Sequence, residues 1–553
     1  MEEHTGSLWP GGGEAMTGLM MDYPLTLHHF LERAAKLFPN KEIVTRTSHR
    51  THRYRYRDYH RRAHRLAHAL EHLGIKPGDR VGTLCWNTHQ HLELYFAVTC
   101  YGAVLHTLNL RLSADDLAFI INHAEDRVIF VDESLVPILE KIRDRIPCVA
   151  RIIVIGSDGS EYEQLLAAAP ETRYPWPHLD EKSAAGMCYT SGTTGNPKGV
   201  VYSHRAFYLH SLSFAMADTF ALSERDVVLQ MVPMFHANGW GKPFAAIMVG
   251  AKIVLPGEHP QPRDLAELIQ NERVTVMGGV PTIWIGLDSV LQEEKFDMSS
   301  MRLAISAGSA IPRQLIETYE KQHGIELRQL WGMTETTPVG TISTLKCDYD
   351  NRPEDECFHT RAKQGLPVVG LDLRAVDGQG HEVPWDGATM GEVQVRGPWV
   401  ISAYYNDARS ASAFADGWFR TGDVANIDQD GYLQLVDRAK DVIKSGGEWI
   451  SSVDLENAIM GHPKVLEAAV VAMEHPKWGE RPLALVVPKP QFLDRVTKEE
   501  ILAFLAPRFA KWWLPDDVLF VDAIPKTSVG KFDKKVMRAQ LKSRASAVSE
   551  QST

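Results

Sequence analysis

Residues 190–199, TSGTTGNPKG, hold three glycines, four hydroxyl side chains and one lysine in ten positions. Glycine permits close backbone approach to a ligand. Such a loop can therefore aim main-chain N–H groups, the hydroxyls of Thr190, Ser191, Thr193 and Thr194, and the Lys198 ammonium at one polyphosphate, with Gly192 and Gly195 giving the turns. The Walker loop differs, because its lysine directly follows the second glycine; here Lys198 lies three residues beyond Gly195. Flexible linkers of similar composition seldom carry a Pro-Lys-Gly end with an apolar strand on each side, here 184–189 and 200–202.

Other clusters bring complementary chemistry. In 329–336, QLWGMTET, Trp331 offers a face that can stack on a base, and Glu335 a carboxylate able to hold a magnesium ion whose other ligands are phosphate oxygens and water. In 417–423, GWFRTGD, the Asp423 carboxylate suits two vicinal hydroxyls. Residues 232–240, VPMFHANGW, combine His236 with the large aromatic Trp240, and 306–312, SAGSAIP, is a small-residue turn between a strand and a helix. Lys531 follows the turn 527–530, TSVG, which can deliver an ammonium on a loop tip into another domain's site.

The elements that must position these residues are those of a soluble, multidomain chain. Its 553 residues suffice for two or more domains and a large core. Hydrophobic residues make up 44%, charged residues 23%, and mean hydropathy is −0.21, ordinary values for a globular protein. A net charge of −11 argues against a general nucleic-acid binder. No apolar run approaches the ~18–20 residues of a membrane span, which leaves at most a loose membrane association. The acidic start MEEH lacks a signal core, so the cytoplasm is expected. Cys85, Cys100, Cys148, Cys188, Cys347 and Cys357 show no Cys-x-x-Cys spacing and suit reduced, buried thiols.

Residues 1–21 read as a Gly-rich flexible lead-in. Leu27, Phe30, Leu31, Ala34 and Phe38 then recur at helical spacing, with Thr26 as the expected N-cap. A helix over 56–73 carries His60, His64, His68 and His72, each four apart, the spacing a helical metal site would use. Its apolar set lies roughly 140° around the helix from the histidines, which predicts a solvated histidine face, open to adventitious nickel or zinc at most. From residue 76 onward, strands at 80–85, 128–131, 152–155, 227–232, 252–255 and 274–278 alternate with helices such as 115–123 and 262–272, the pattern of an α/β fold with largely parallel sheets. Past 367, short strands and Asp-Gly turns predict a small antiparallel or β-barrel-like subdomain. A small α+β unit follows 437, with Ser451 and Asp454 starting a helix over 453–460, strands at 465–473 and 483–487, a helix at 498–505, and a Ser/Ala/Gln-rich tail after 544 expected to fray.

Taken in order from Thr190 to Lys531, seven motifs spanning nearly two-thirds of the chain resemble those of the adenylate-forming enzymes: acyl-CoA synthetases, luciferases and the adenylation domains of peptide synthetases. The resemblance implies a large adenylation domain (22–437), a hinge (438–441) and a mobile C-terminal lid (442–553). It implies ATP, Mg²⁺ and CoA as ligands. ATP would lie against the loop at 190–199, Gly308, Gln329, Trp331, Gly332, Met333, Thr334, Glu335, Asp423 and Arg438, with Thr190 and Glu335 on the metal. The family usually has tyrosine where this chain has Trp331. His236 matches a histidine beside the substrate carboxylate, and Trp240 a gate of the fatty-acyl tunnel in long-chain members. Ala307, Gly308 and Ser309 match the acyl pocket; related fatty-acyl ligases often have Gly-Gly-Ser-Ala there, so Ala307 replaces a glycine and bears on acyl length. Lys440 matches the pivot, Gly446, Gly447 and Trp449 the thiol channel, and Lys531 the lysine of the adenylation step.

The pattern most resembles bacterial medium- and long-chain fatty-acyl-CoA ligases, and also ligases for methylthiopropionate, a short thioether acid. Loading of a carrier protein and a non-catalytic acyl or nucleotide sensor are the alternatives of other classes. Long-chain members pair through N-terminal segments, which implies a homodimer.

Overall fold

The computed structural model describes residues 18–550 apart from 48–49, 191–195, 447, 494 and 528–530. Two sheets with parallel centres carry the large N-terminal part. The nine-stranded one runs Leu366–Pro367, Val339–Ile342, Glu326–Gly332, Leu303–Ala307, Val276–Gly279, Val227–Leu229, Lys252–Leu255, Glu42–Arg46, Thr51–Arg55, antiparallel only at its edges. The six-stranded one runs Arg151–Ile155, Asp126–Asp132, Arg80–Leu84, Val104–Thr107, Ala184–Tyr189, Gly199–Ser203, with the last pair antiparallel. Strands such as LAISA (Leu303–Ala307) and VMGG (Val276–Gly279) are buried at every position, because helices cover both faces and no alternation is required. The strands that lead into the turns at 306–312 and 334–336, Leu303–Ala307 and Glu326–Gly332, thus lie side by side, Val227–Leu229 before 232–240 is two places from Leu303–Ala307, and the loop at 190–199 leaves the six-stranded sheet.

Past these sheets, Asp372–Val376, Gly391–Arg396, Phe414–Ala415, Trp418–Ile427 and Leu433–Arg438 form the expected antiparallel unit. The C-terminal domain has the sheet Glu448–Ile450, Ile443–Ser445, Gly479–Pro488, Val465–His475, with Asp517–Phe520 parallel beside Gly479–Pro488. Its helix Ser452–Met460 is capped by Ser451, whose Oγ accepts the Asp454 N–H at 3.1 Å. This domain docks on Leu433–Arg438: the Ser451 hydroxyl donates to the Val436 carbonyl (2.9 Å), and Lys534, paired within its own domain with Glu456 (2.9 Å), reaches Asp437 (3.3 Å). No helix among the described residues is long and apolar enough to cross a membrane. All six cysteines are free thiols, buried at Cys85, Cys100 and Cys188 but exposed at Cys347.

Several local expectations need correction. Thr26 does not cap the first helix, His28–Leu37; its hydroxyl instead meets His28 Nδ1 at 2.9 Å. The strand predicted over 227–232 ends at Leu229, and the tail stays helical, Lys534–Glu550. The largest correction concerns the histidine stripe on Tyr56–His72. Only His72 is exposed, while His60 and His64 are buried. Both Nε2 atoms lie 3.0 Å from Glu32 Oε1, on the first helix, and Trp176 Nε1 donates to the same oxygen at 2.9 Å. The periodicity correctly locates the apolar face, but a second layer, the first helix and the segment around Trp176, covers the opposite one.

Glu32, His60 and His64 together have a metal-ligand outline. The Tyr174 N–H, however, donates to His64 Nδ1 (2.8 Å), which places the proton of the neutral ring on Nε2, the atom a metal would need. The cluster is a carboxylate gathering three donors. Against the opposing pull of burial, hydrogen bonds from His60, His64 and Trp176 hold Glu32 well below the ordinary carboxylate range. A depressed carboxyl stabilises the fold fully above its unfolded value, about 4.3, and this contribution fades only as pH falls further. Glu32→Ala, which strands these donors, is expected to cost about 2–3 kcal/mol in urea unfolding at pH 7; a midpoint equal to wild type would contradict this account.

Candidate active site

A cavity of about 810 Å³ opens between the ends of the nine-stranded sheet, the antiparallel unit and the C-terminal domain. The hairpin Ala184–Tyr189/Gly199–Ser203 delivers its first wall. The Thr190 N–H donates to the Lys198 carbonyl (3.0 Å), and the Lys198 N–H donates to Thr190 Oγ1 (3.1 Å), so both ends of the loop are pinned at the cavity. Ser191, Gly192, Thr193, Thr194 and Gly195 lie outside the described residues. Lys198 Nζ stands 4.3 Å from the centre of the Tyr404 ring, a cation–π contact.

The strand Glu326–Gly332 delivers the second wall. Trp331 Nε1 donates to Asp423 Oδ2 at 2.8 Å, and Arg438 Nε meets Asp423 Oδ1 at 2.8 Å. Asp423 and Arg438 face each other in register on adjacent strands, which fixes the pair. The Trp331 indole N–H thus orients the carboxylate. Gly332 and Met333 lead into the short turn Thr334–Thr336, which buries Glu335. The Tyr404 hydroxyl donates to Glu335 Oε1 at 2.8 Å; burial and then the Glu335 charge push that phenol up, so it stays a donor. Gln329 lines the cavity, but its amide braces the adjacent turn, accepting the Ile311 N–H (2.7 Å) and donating to the Ala362 carbonyl (2.7 Å).

His236, Trp240, Ala307, Gly308 and Ser309 close the far side. Burial, with help from Lys531 and Arg111, pushes His236 down to about 3, so its imidazole is neutral at neutral pH. Gly308 has φ +94°, and a Cβ there would sit 3.4 Å from Lys531 Cε. Lys531 has therefore entered the cavity from the C-terminal domain. Its backbone is pinned across the turn, Lys531 N–H to Thr527 Oγ1 at 3.2 Å. Burial and then Arg438 push its amine down to about 8, against the pull of Asp423 and Glu335.

Lys440 lies exposed at the rim. Gly446 and Trp449 are not brought to the cavity: the Gly446 N–H donates to the Trp478 carbonyl (2.8 Å), and Trp449 is exposed on its strand. Gly447 lies outside the described residues. Sequence reasoning missed Tyr404 and Arg111, both at the cavity. Neither sits in a motif with chemical spacing; tertiary contacts, the Tyr405 N–H with the Gly199 carbonyl (2.9 Å) and Arg409 with the Asn196 carbonyl (3.2 Å), bring the Tyr404 segment to the loop.

A small domain that inserts a lysine into a nucleotide-sized cavity of a large α/β domain defines the adenylate-forming class. The chain belongs to the AMP-binding enzyme family, which matches residues 31–405, and the family's C-terminal domain matches 454–531. It is 49% identical to the long-chain-fatty-acid–CoA ligase of Thermus thermophilus over 96% of this chain and 98% of that protein. It is 41% identical to a 3-methylmercaptopropionyl-CoA ligase of Ruegeria lacuscaerulensis over 95% and 99%. The crystal structure of the anthranilate CoA ligase AuaEII with anthranoyl-AMP superposes with a TM-score of 0.84 at 25% identity, covering 94% of this chain and 98% of that one.

Proposed function

We propose that the protein is an AMP-forming acid–CoA ligase that activates a medium- to long-chain fatty acid as its adenylate and passes the acyl group to CoA. The observation that carries this reading is Lys531 beside Gly308, in one cavity with Glu335, Trp331 and Asp423. The fatty-acid part rests on the likeness to the Thermus ligase. The likeness to the methylmercaptopropionyl ligase favours the second reading, a short thioether acid.

A carboxylate is ionised at neutral pH, so it attacks the α-phosphorus of ATP without a general base. The new O–P bond forms as the bond to pyrophosphate breaks. The obstacle is anion approaching anion. The Lys531 ammonium, Lys198 and the loop donors offset charge on the transferring group. Neutral His236 places the acid without adding charge to it. Trp331 stacks on the adenine and Asp423 holds the ribose hydroxyls, with Arg438 beside them. Glu335, one oxygen of which is held by Tyr404, and the Thr190 hydroxyl both line the cavity and, as hard oxygen donors, would hold a magnesium ion. When bound, that ion neutralises phosphate charge.

For the second half-reaction the C-terminal domain turns about Lys440, parting Lys534 from Asp437 and withdrawing Lys531. Gly446, Gly447 and Trp449 then line the approach of the CoA thiolate, which attacks the acyl carbonyl and expels AMP. The exposed apolar side chains of Leu19, Met20 and Met21 support a homodimer joined through this segment, and a cytoplasmic location completes the reading.

The test is CoA-dependent AMP release across acids from C4 to C18 and methylthiopropionate. A maximum among the longer fatty acids is expected; a maximum at methylthiopropionate would replace that acid choice, and activity only with a carrier protein would overturn the CoA assignment. The Lys531 position adds a pH prediction. The ammonium is the working form, so kcat/KM for ATP, which reports the free enzyme, is expected to fall as pH rises through about 8. A flat profile to pH 9.5 or so would count against that role.

A further inference from the structure

Behind Trp240 lies an amine that the mechanism above does not use. Lys242 is 1% exposed, forms no ion pair among the described residues, and its Nζ has no hydrogen-bond partner there. Such core positions are ordinarily apolar, because a buried ammonium without an anion is strongly disfavoured. Burial pushes this amine down to about 7.

Its neighbours say what the space beside it is for. Nζ stands over the Trp240 ring, 5.7 Å from its centre, so the indole face is its one cation–π contact among the described residues and turning it aside would remove that as well. A Cβ on Gly278 would lie 2.8 Å from Nζ and 3.3 Å from Trp240 Cζ3, so amine and indole edge share the bare face of one glycine. Gly279, the next residue, lines the catalytic cavity, and so does Trp240, whereas Lys242 does not. The Trp240 side chain thus borders both the cavity and the amine.

That side chain rests on a strained backbone. Ala237, Asn238, Gly239, Trp240 and Gly241 all have positive φ (35°, 39°, 64°, 61° and 71°), a left-handed run that three non-glycine residues rarely share. It is held by Gln230 Nε2, which donates to the carbonyls of Gly239 (3.0 Å) and Val232 (2.8 Å), and by Cys188, whose thiol donates to Asn238 Oδ1 (3.0 Å). Turning of the Trp240 indole would join the cavity it lines to the space beside Lys242.

We propose that Lys242 is a specificity-determining residue: with the Trp240 indole turned aside, its amine binds an oxygen at the far end of the acyl chain, so the enzyme prefers acids bearing a distal carboxylate or hydroxyl over unsubstituted ones. This rests on the ligase reading above. An unsubstituted chain reaching the same depth leaves the amine buried and unpaired, while a distal carboxylate supplies its missing counter-ion and a hydroxyl an acceptor.

The test compares kcat/KM for unsubstituted, ω-hydroxy and ω-carboxy acids of matched length, from six to twelve carbons, in wild type, Lys242→Met and Gly278→Ala. At the best length the ratio of ω-oxygenated to unsubstituted acid is expected to fall at least about tenfold in Lys242→Met, the loss of one charge-assisted hydrogen bond, with the ω-carboxy acid losing more than the ω-hydroxy acid. Gly278→Ala, which places a methyl between amine and indole, is expected to lower the same ratio with the lysine retained. Lys242→Met keeps the volume and removes the buried amine, so its thermal midpoint is expected to equal or exceed that of wild type. Ratios unchanged in both variants would overturn the proposal. Should neither variant fold, wild type decides, since preference for the unsubstituted acid at every length would overturn it equally. Activity confined to unsubstituted acids overturns this inference alone; absence of CoA-dependent AMP release with every acid overturns it together with the ligase reading.

Discussion

Lys531→Ala is expected to lower acid-dependent ATP–pyrophosphate exchange about a thousandfold while sparing CoA-dependent turnover of supplied acyl-adenylate. The size follows from removing one preorganised cation aimed at charge that builds in the transition state. The asymmetry follows from geometry. Lys531 reaches the cavity only because the C-terminal domain sits as it does, with its Cε against Gly308 and its own turn pinned by Thr527. Neither Gly446 nor Trp449 is at the cavity in the same arrangement. A residue that serves the first half-reaction and is withdrawn for the second, as proposed above, would affect the first alone. Equal loss of both half-reactions would show that the lysine supports the fold or both steps.

The second large effect is expected at Asp423. Its two oxygens are each oriented at 2.8 Å, one by the Trp331 indole and one by Arg438. On the roles proposed above, Asp423→Ala removes the acceptor for the ribose hydroxyls and frees the indole proposed to stack on adenine, and it leaves Arg438 without its Asp423 partner. Together these are expected to lower kcat/KM for ATP about a hundredfold, the loss of two charge-assisted hydrogen bonds at about 1.5 kcal/mol each. A structural defect alone would lower all nucleotides alike. The role in ribose binding predicts more: wild type should prefer ATP over 2′-deoxy-ATP, and the variant should lose that preference. A preserved preference would contradict the assignment, whatever the loss of rate.

The parallel sheets and the C-terminal domain are legible in the sequence because continuous apolar strands, helical periodicity and caps such as Ser451 act locally. The helices Pro262–Glu272 and Lys498–Leu505 have the predicted limits. The ordered motifs likewise point to the nucleotide. What escapes is what only tertiary packing sets. The histidine face of Tyr56–His72 reads as solvated because one helix shows one apolar stripe; its burial under Glu32 and Trp176 depends on residues 28 and more positions away along the chain. Tyr404 carries no pattern that ties it to Glu335, and the motif around Trp331 suggests a stacking face but not the hydrogen bond its N–H makes to Asp423. Lys242 draws no notice in the sequence, since a lysine beside a proline reads as surface; only its depth reveals it.

The central claim is that this cavity joins a carboxylate to the α-phosphorus of ATP before any thiol takes part. It is tested most directly by incubating the full-length protein with ATP, Mg²⁺, labelled pyrophosphate and a fatty acid in the absence of CoA. Label is expected to enter ATP only when the acid is present, with AMP appearing once CoA is added. Release of ADP and phosphate, or exchange that requires CoA, would contradict it.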